Sequence, residues 1–175
     1  MLKYGVTMSK LHLTHLTESG QAHMVDVGSK EVTLRQAHAR ACVRMNQTAF
    51  AKLSSGDTPK GDVLAAARIA GILAAKRTSD LLPLCHTIKL TRVEVTIDLH
   101  EASAIIHAMA EARDRTGVEM EALTAASIAA LTLYDMLKAV DRAMTFDVCL
   151  VEKSGGQSGA FARDEAMEKK REMSP

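Results

Sequence analysis

Two runs of alternating apolar residues, joined by a short polar turn, constrain this chain more tightly than any other feature. Across 88–100, Val93, Val95, Ile97 and Leu99 fall on one side, and 104–112 repeats the pattern with Ile106, Ala108 and Ala110. Period-two alternation with β-branched residues marks half-buried strands, so the two runs pair as an antiparallel hairpin through residues 101–103. A third alternation lies upstream, where Ala37, Ala39, Ala41, Val43 and Met45 interleave with His38, Arg40, Cys42 and Arg44. Its alanines favour helix by propensity, but the period favours a strand.

Helical periods fill the intervals. Asn46 or Thr48 can cap a short helix ending near Gly56. Asp62, just after the Pro59-Lys60-Gly61 break, can cap a second that carries Leu64, Ala65, Ile69, Ile72 and Leu73 to about residue 78. Gly117 opens an Ala- and Leu-rich helix reaching about residue 140. Phe146, Val148 and Leu150 then mark a last strand before Ser154-Gly155-Gly156. The order strand, helices, strand, strand, helix, strand predicts an α+β chain of ferredoxin-like βαββαβ arrangement, an antiparallel sheet with helices packed on one face. Residues 23–161 make the single domain, with 1–22 a loose N-terminal arm and 162–175 a mobile C-terminal tail.

Charge and composition exclude several function classes. Twenty-two basic against 21 acidic side chains leave a net +1, so no global field draws nucleic acid or anionic membrane. An aromatic content of 3% without Trp offers no stacking platform for bases. The three cysteines, Cys42, Cys85 and Cys149, form neither a CxxC pair nor a disulfide framework, which suits a reducing cytosol. The start of the chain lacks a signal-peptide run, and the apolar stretch 123–140 is broken by polar side chains. A cytoplasmic location is expected, with no nucleic-acid or membrane partner.

Local clusters hold whatever chemistry there is. Cys85 and His86 sit in the loop before the hairpin without metal-ligand spacing, so no metal site is expected; by composition a structural His86 and a small buried Cys85 are the plainer readings. Lys60 precedes a helix start, a place that favours anions, but it lacks the frame of a P-loop, and a solvated lysine explains it as simply. Lys153-Ser154-Gly155-Gly156-Gln157-Ser158-Gly159 reads equally as an anion-binding nest and as a flexible exit. On the long helix, Glu121, Thr124, Ile128, Leu131, Asp135 and Lys138 share one broad stripe. Asp135 and Lys138 are i, i+3 neighbours, either a surface ion pair or a general acid/base with its companion. Glu121 and Asp135 stand about 21 Å apart along the axis, too far to serve one reacting atom within one chain, so if both are functional the site is elongated or completed by a neighbouring chain.

The runs HMVDV (23–27), KGDVLAAARIAGILAAKRTSDLLPLCH (60–86), TGVEMEALTAASIAALTLYDMLKAV (116–140) and KSGGQSG (153–159) closely resemble the molybdenum cofactor biosynthesis protein C family, the cyclic pyranopterin monophosphate synthases. The resemblance spans about 11–161. It implies a lyase acting after the radical enzyme of the pathway, converting 3′,8-cyclo-7,8-dihydroguanosine 5′-triphosphate to cyclic pyranopterin monophosphate with release of diphosphate. It further implies a ferredoxin-like fold and a homohexamer, a trimer of dimers with sites at subunit contacts.

Residue by residue, the resemblance makes Asp135 the catalytic aspartate, Lys138 its companion and Lys60 the lysine of the KGD motif. Leu84, Cys85, His86, Met120 and Glu121 become substrate-binding residues, with Arg35 and Lys153 as further basic positions of the pocket. Gln157 stands where a second lysine is usual, and Thr87 where a proline is common. No cofactor is firmly implied; Mg2+ is the ion that commonly accompanies a triphosphate. Two other readings remain: a non-catalytic guanine-nucleotide-binding module on the same fold, which would not need Asp135, and a scaffold, which would not need Lys60.

Overall fold

The computed structural model describes residues 19–58 and 60–164. Its frame is the expected one. Strand β1 (Thr33–Arg44) is followed by helices α1 (Gln47–Ser55), α2 (Val63–Ala75) and α3 (Thr78–Leu81). Then come β2 (Leu90–His100), β3 (Ser103–Asp114), α4 (Glu119–Leu137), β4 (Thr145–Ser154) and β5 (Phe161–Ala162). The sheet runs β2-β3-β1-β4-β5 with every pair antiparallel, the ferredoxin-like order extended by one short edge strand. β1 lies between β3 and β4, with Thr33 opposite Asp114 and Arg44 opposite Ser103.

Alternation decides which side chains the helices cover. Ala37, Ala39, Ala41 and Val43 of β1 and Ala104, Ile106, Ala108, Ala110 and Ala112 of β3 are all buried, and α4 meets them with Ala122, Ala126, Ala129, Ala130, Leu133 and Leu137. So many small side chains let helix and sheet pack closely. α2 packs alongside α4 at Gly71, where an added Cβ would stand 2.9 Å from the Ala125 carbonyl oxygen. The opposite sheet face carries polar side chains, among them Arg44 paired with Asp147 at 2.6 Å and His38 Nε2 3.0 Å from His107 Nδ1. α4 is long and apolar enough to cross a membrane by length and composition, but its alanine face is core.

The caps fall where expected. Asn46 Oδ1 accepts from Ala49 N at 2.8 Å and Asp62 Oδ1 from Ala65 N at 2.9 Å. Three details differ from the sequence expectation. The second helix stops at Ala75, because the buried Thr78 hydroxyl donates to the Ala75 carbonyl at 3.0 Å and a separate α3 begins there. The β2–β3 turn is tighter than a three-residue loop, with Glu101 and Ala102 at φ 27° and 64°. A short edge strand that the sequence reading did not contain, β5, pairs Phe161 with Lys153 and Ala162 with Glu152. Residues 1–18 of the expected arm and 165–175 of the expected tail lie outside the described residues.

Candidate active site

The expected site residues gather in two places at opposite ends of α4. At its C-terminal end the packing of α2 on α4 brings Lys60, in the turn before the Asp62 cap, against Asp135 from 75 positions away in sequence. Lys60 Nζ donates to the Asp135 Oδ2 at 3.1 Å and to the Asp135 backbone carbonyl at 2.9 Å. Lys138 Nζ, one turn on, stands 2.7 Å from Asp135 Oδ1. The three side chains are about half exposed. The ammonium groups of Lys138 and Lys60 hold the Asp135 carboxyl below its ordinary range. Asp135 is therefore an ionised acceptor at neutral pH, held by both lysine side chains.

At the N-terminal end, the 84–86 loop follows α3, with Cys85 N donating to the Leu82 carbonyl at 3.0 Å. A cavity of about 380 Å³ lies there, lined by Leu84, Cys85, His86, Met120, Glu121 and Val25, among others. Glu121 is only 3% exposed. Burial raises its pKa from 4.5 to about 7, with Glu119 and Asp114 adding repulsion and its own backbone hydrogen bond opposing them. Cys85 is pushed up by burial and by the negative charge of Glu121, so it remains a thiol rather than a thiolate nucleophile.

Arg35 and Lys153 stand at the end of the sheet from which α4 departs, where β3 ends at Asp114 and β4 at Ser154. The Arg35 guanidinium, 7% exposed, donates from Nε to the Asp114 carbonyl and from Nη2 to the Arg115 carbonyl, both at 3.1 Å. Lys153 Nζ donates to Ser158 Oγ at 2.5 Å across the glycine-rich loop.

Helix periodicity put Glu121 and Asp135 on one stripe, yet the first is buried in a cavity and the second is exposed. The Lys60–Asp135 contact was not legible from spacing, unlike Asp135–Lys138. Val25 and Lys30, which also line the smaller cavity, were not singled out, although HMVDV flagged their neighbourhood. A larger cavity of about 780 Å³, lined by Arg40, Asp98, His100 and His107 among others, contains none of the expected site residues. Among the described residues no group of three or more His, Cys, Asp or Glu side chains is arranged to hold a metal ion.

A family model described as the MoaC family matches residues 24–156. A protein of Peptoclostridium acidaminophilum named cyclic pyranopterin monophosphate synthase is 51% identical over 155 residues, covering 88% of this chain and 99% of its own. A protein of the same name from Roseiflexus sp. (strain RS-1) is 58% identical over 155 residues, covering 87% and 98%. Another, from Herpetosiphon aurantiacus, is 57% identical over 152 residues, covering 85% and 93%.

Proposed function

This chain belongs to the MoaC family, and from that premise we propose that it is a cyclic pyranopterin monophosphate synthase, a lyase of molybdenum cofactor biosynthesis. Its substrate is 3′,8-cyclo-7,8-dihydroguanosine 5′-triphosphate, delivered by the radical enzyme that precedes it. Forming the product requires a sugar-derived hydroxyl oxygen to attack the α-phosphorus. A P–O bond forms, the bond to the bridging oxygen breaks and diphosphate leaves. The hydroxyl proton must go to a base, and opening of the purine ring needs protons delivered to ring nitrogens.

Asp135 accepts protons as the ionised base, while Lys138 and Lys60 donate them. Lys60, Lys153, Arg35 and His86 neutralise the triphosphate and the charge growing on diphosphate. Glu121 and the backbone at Met120 read the guanine-derived edge, whose N–H groups a carboxylate accepts. Mg2+ enters this reading only as a companion of the triphosphate. The reading includes a cytoplasmic location, supported by the free cysteines Cys42, Cys85 and Cys149.

One observation carries the interface part of the proposal. Within one chain Asp135 and Glu121 are fourteen positions apart on a continuous helix, about 21 Å along its axis. The acid/base cluster of one copy therefore works on substrate held in the pocket of another, in a homohexamer built as a trimer of dimers. Exposed apolar side chains on α2 and α4, Ile69 at 59%, Leu73 at 50% and Leu131 at 50%, support an assembly that covers them.

Subunit complementation tests this. Asp135→Asn and Glu121→Ala proteins are each assayed alone, then unfolded, mixed in equal amounts and refolded together. A shared site predicts little turnover of cyclic dihydro-GTP by either variant and recovery of about a quarter of the wild-type sites in the mixture. No recovery by mixed oligomers of proven composition contradicts the shared site, and no turnover by the wild type contradicts the lyase.

A further inference from the structure

The glycine-rich loop after β4 has a steric task that the proposed reaction does not by itself explain. Arg35 is nine-tenths buried, and its hydrogen bonds go to two neutral carbonyl oxygens, those of Asp114 and Arg115. Among the described residues no carboxylate pairs with it. A buried guanidinium without a counter-ion is costly unless an anion completes its shell, and a phosphate does so with fork geometry.

The loop lies against a further side of the guanidinium. Gly155 and Gly156 lie at φ +90° and +79°, and both press on Arg35 or its neighbour. A Cβ at Gly156 would stand 1.6 Å from Arg35 Nη1 and 2.7 Å from Cζ, inside the guanidinium itself. A Cβ at Gly155 would stand 2.1 Å from the Leu34 backbone oxygen, so the loop could not lie where it does.

We propose that Gly155 and Gly156 are positioning residues for Arg35: their bare backbone forms a wall that, with the Asp114 and Arg115 carbonyls, fixes the guanidinium to receive a phosphate group. In substrate terms this rests on the lyase reading, since the phosphate is then one of the triphosphate. Between the two readings of the KSGGQSG run, it favours an anion site in which the glycines act by shape and Arg35 supplies the charge. A flexible exit would not need them to touch a buried cation. The loop and the two carbonyls leave the guanidinium one place to sit, so less freedom is lost when the anion arrives.

Binding of inorganic diphosphate, measured by titration calorimetry, tests the proposal with wild type, Arg35→Ala, Gly156→Ala, the double variant and Gly56→Ala. Gly56 has a similar φ of +71° but open space around it, so its variant carries the backbone strain without the clash. Arg35→Ala and Gly156→Ala should each weaken binding about 10- to 100-fold, the range for a charge-assisted hydrogen bond. The double variant should be no weaker than either single variant, because the glycine acts through the arginine. Gly56→Ala should bind like wild type, and KM for cyclic dihydro-GTP should rise in parallel in the first two.

Additive losses, an equal loss in Gly56→Ala, wild-type affinity in Gly156→Ala, or no diphosphate binding by the wild type would each overturn the proposal. Should Gly156→Ala fail to fold, truncating Arg35 beside it should restore a normal melting transition, and failure to restore it counts against the wall. A wild type that binds diphosphate through Arg35 but does not turn over cyclic dihydro-GTP would remove the lyase and leave the positioning role standing.

Discussion

Glu121→Gln isolates the most perturbed group of the candidate pocket. The side chain is 3% exposed, and none of the groups that shift its pKa is a cation. Its pKa rises from 4.5 to about 7, and each pH unit of such a difference is worth about 1.4 kcal/mol. Ionising Glu121 in the folded chain therefore costs about 3 kcal/mol relative to the unfolded chain. The folded state holds the proton more tightly, so the full stability is present below pH 4.5. It is lost as the pH rises towards about 7 and stays lost above that. The glutamine variant cannot ionise and should not show this slope. Wild type and variant should converge towards pH 4.5, and near pH 8 the variant should be more stable by up to about 3 kcal/mol. For a chain of this length that is about 6–12 °C in Tm. Urea unfolding followed by circular dichroism at about pH 5, 6, 7 and 8, at one protein concentration, reads the difference. A difference that does not change with pH, or a variant less stable at pH 8, would refute the assignment of a buried, unpaired carboxyl.

The same group predicts how substrate binding depends on pH. If Glu121 accepts from ring N–H groups in its ionised form, affinity should climb as the pH rises through about 7 and level off above it, with proton release on binding; a wild-type profile flat across that range speaks against the role. Lys60→Ala should lower turnover about 100-fold or more while leaving stability within about 0.5 kcal/mol, because Lys60 is half exposed; parallel loss of Tm would mark it as structural. Gly71→Ala places a carbon 2.9 Å from the Ala125 carbonyl, and overpacking of about 1–3 kcal/mol should outweigh the helix-propensity gain of about 1 kcal/mol; a more stable variant in urea would show that α2 can shift away. Ala102→Gly, at φ 64° in the hairpin turn, should stabilise by about 1 kcal/mol, read as a higher urea midpoint, and a lower midpoint would count against strain at that turn.

The sequence made the scaffold legible wherever one period dominated. Val93, Val95 and Ile97 against Ile106 and Ala108 could only be a hairpin. Alternation along Ala37, Ala39, Ala41 and Val43 outweighed alanine's helix preference because all four had to face one core. Asn46 and Asp62 announced their helices because a side-chain acceptor at that point satisfies a free amide. The break after Ala75 was hidden, since the apolar period runs on and only a buried Thr78 hydroxyl interrupts it. Two-residue β5 has too few positions to show a period at all. In the site, Asp135 and Lys138 were visible as helix neighbours, whereas Lys60 reaches Asp135 across 75 positions through the packing of α2 on α4, which no local period shows. Burial of Glu121 could not be read from α4 alone, because the 84–86 loop that shares its cavity comes from elsewhere in the chain. Arg35 and the glycines likewise meet across more than a hundred positions.

The lyase reading has a chain whose Asp135 is held ionised between Lys60 and Lys138 convert 3′,8-cyclo-7,8-dihydroguanosine 5′-triphosphate to cyclic pyranopterin monophosphate. Its most direct test is single-turnover assay of the purified protein with that substrate, following diphosphate release and the fluorescence of the oxidised pterin, with wild type and Asp135→Asn side by side. The wild type should release one diphosphate per pterin formed, and the variant should be slower by about 100- to 10,000-fold with an unchanged Tm, because the exposed carboxylate contributes chemistry rather than packing. A folded wild type that binds the nucleotide without releasing diphosphate, or an Asp135→Asn protein as fast as wild type, would contradict it.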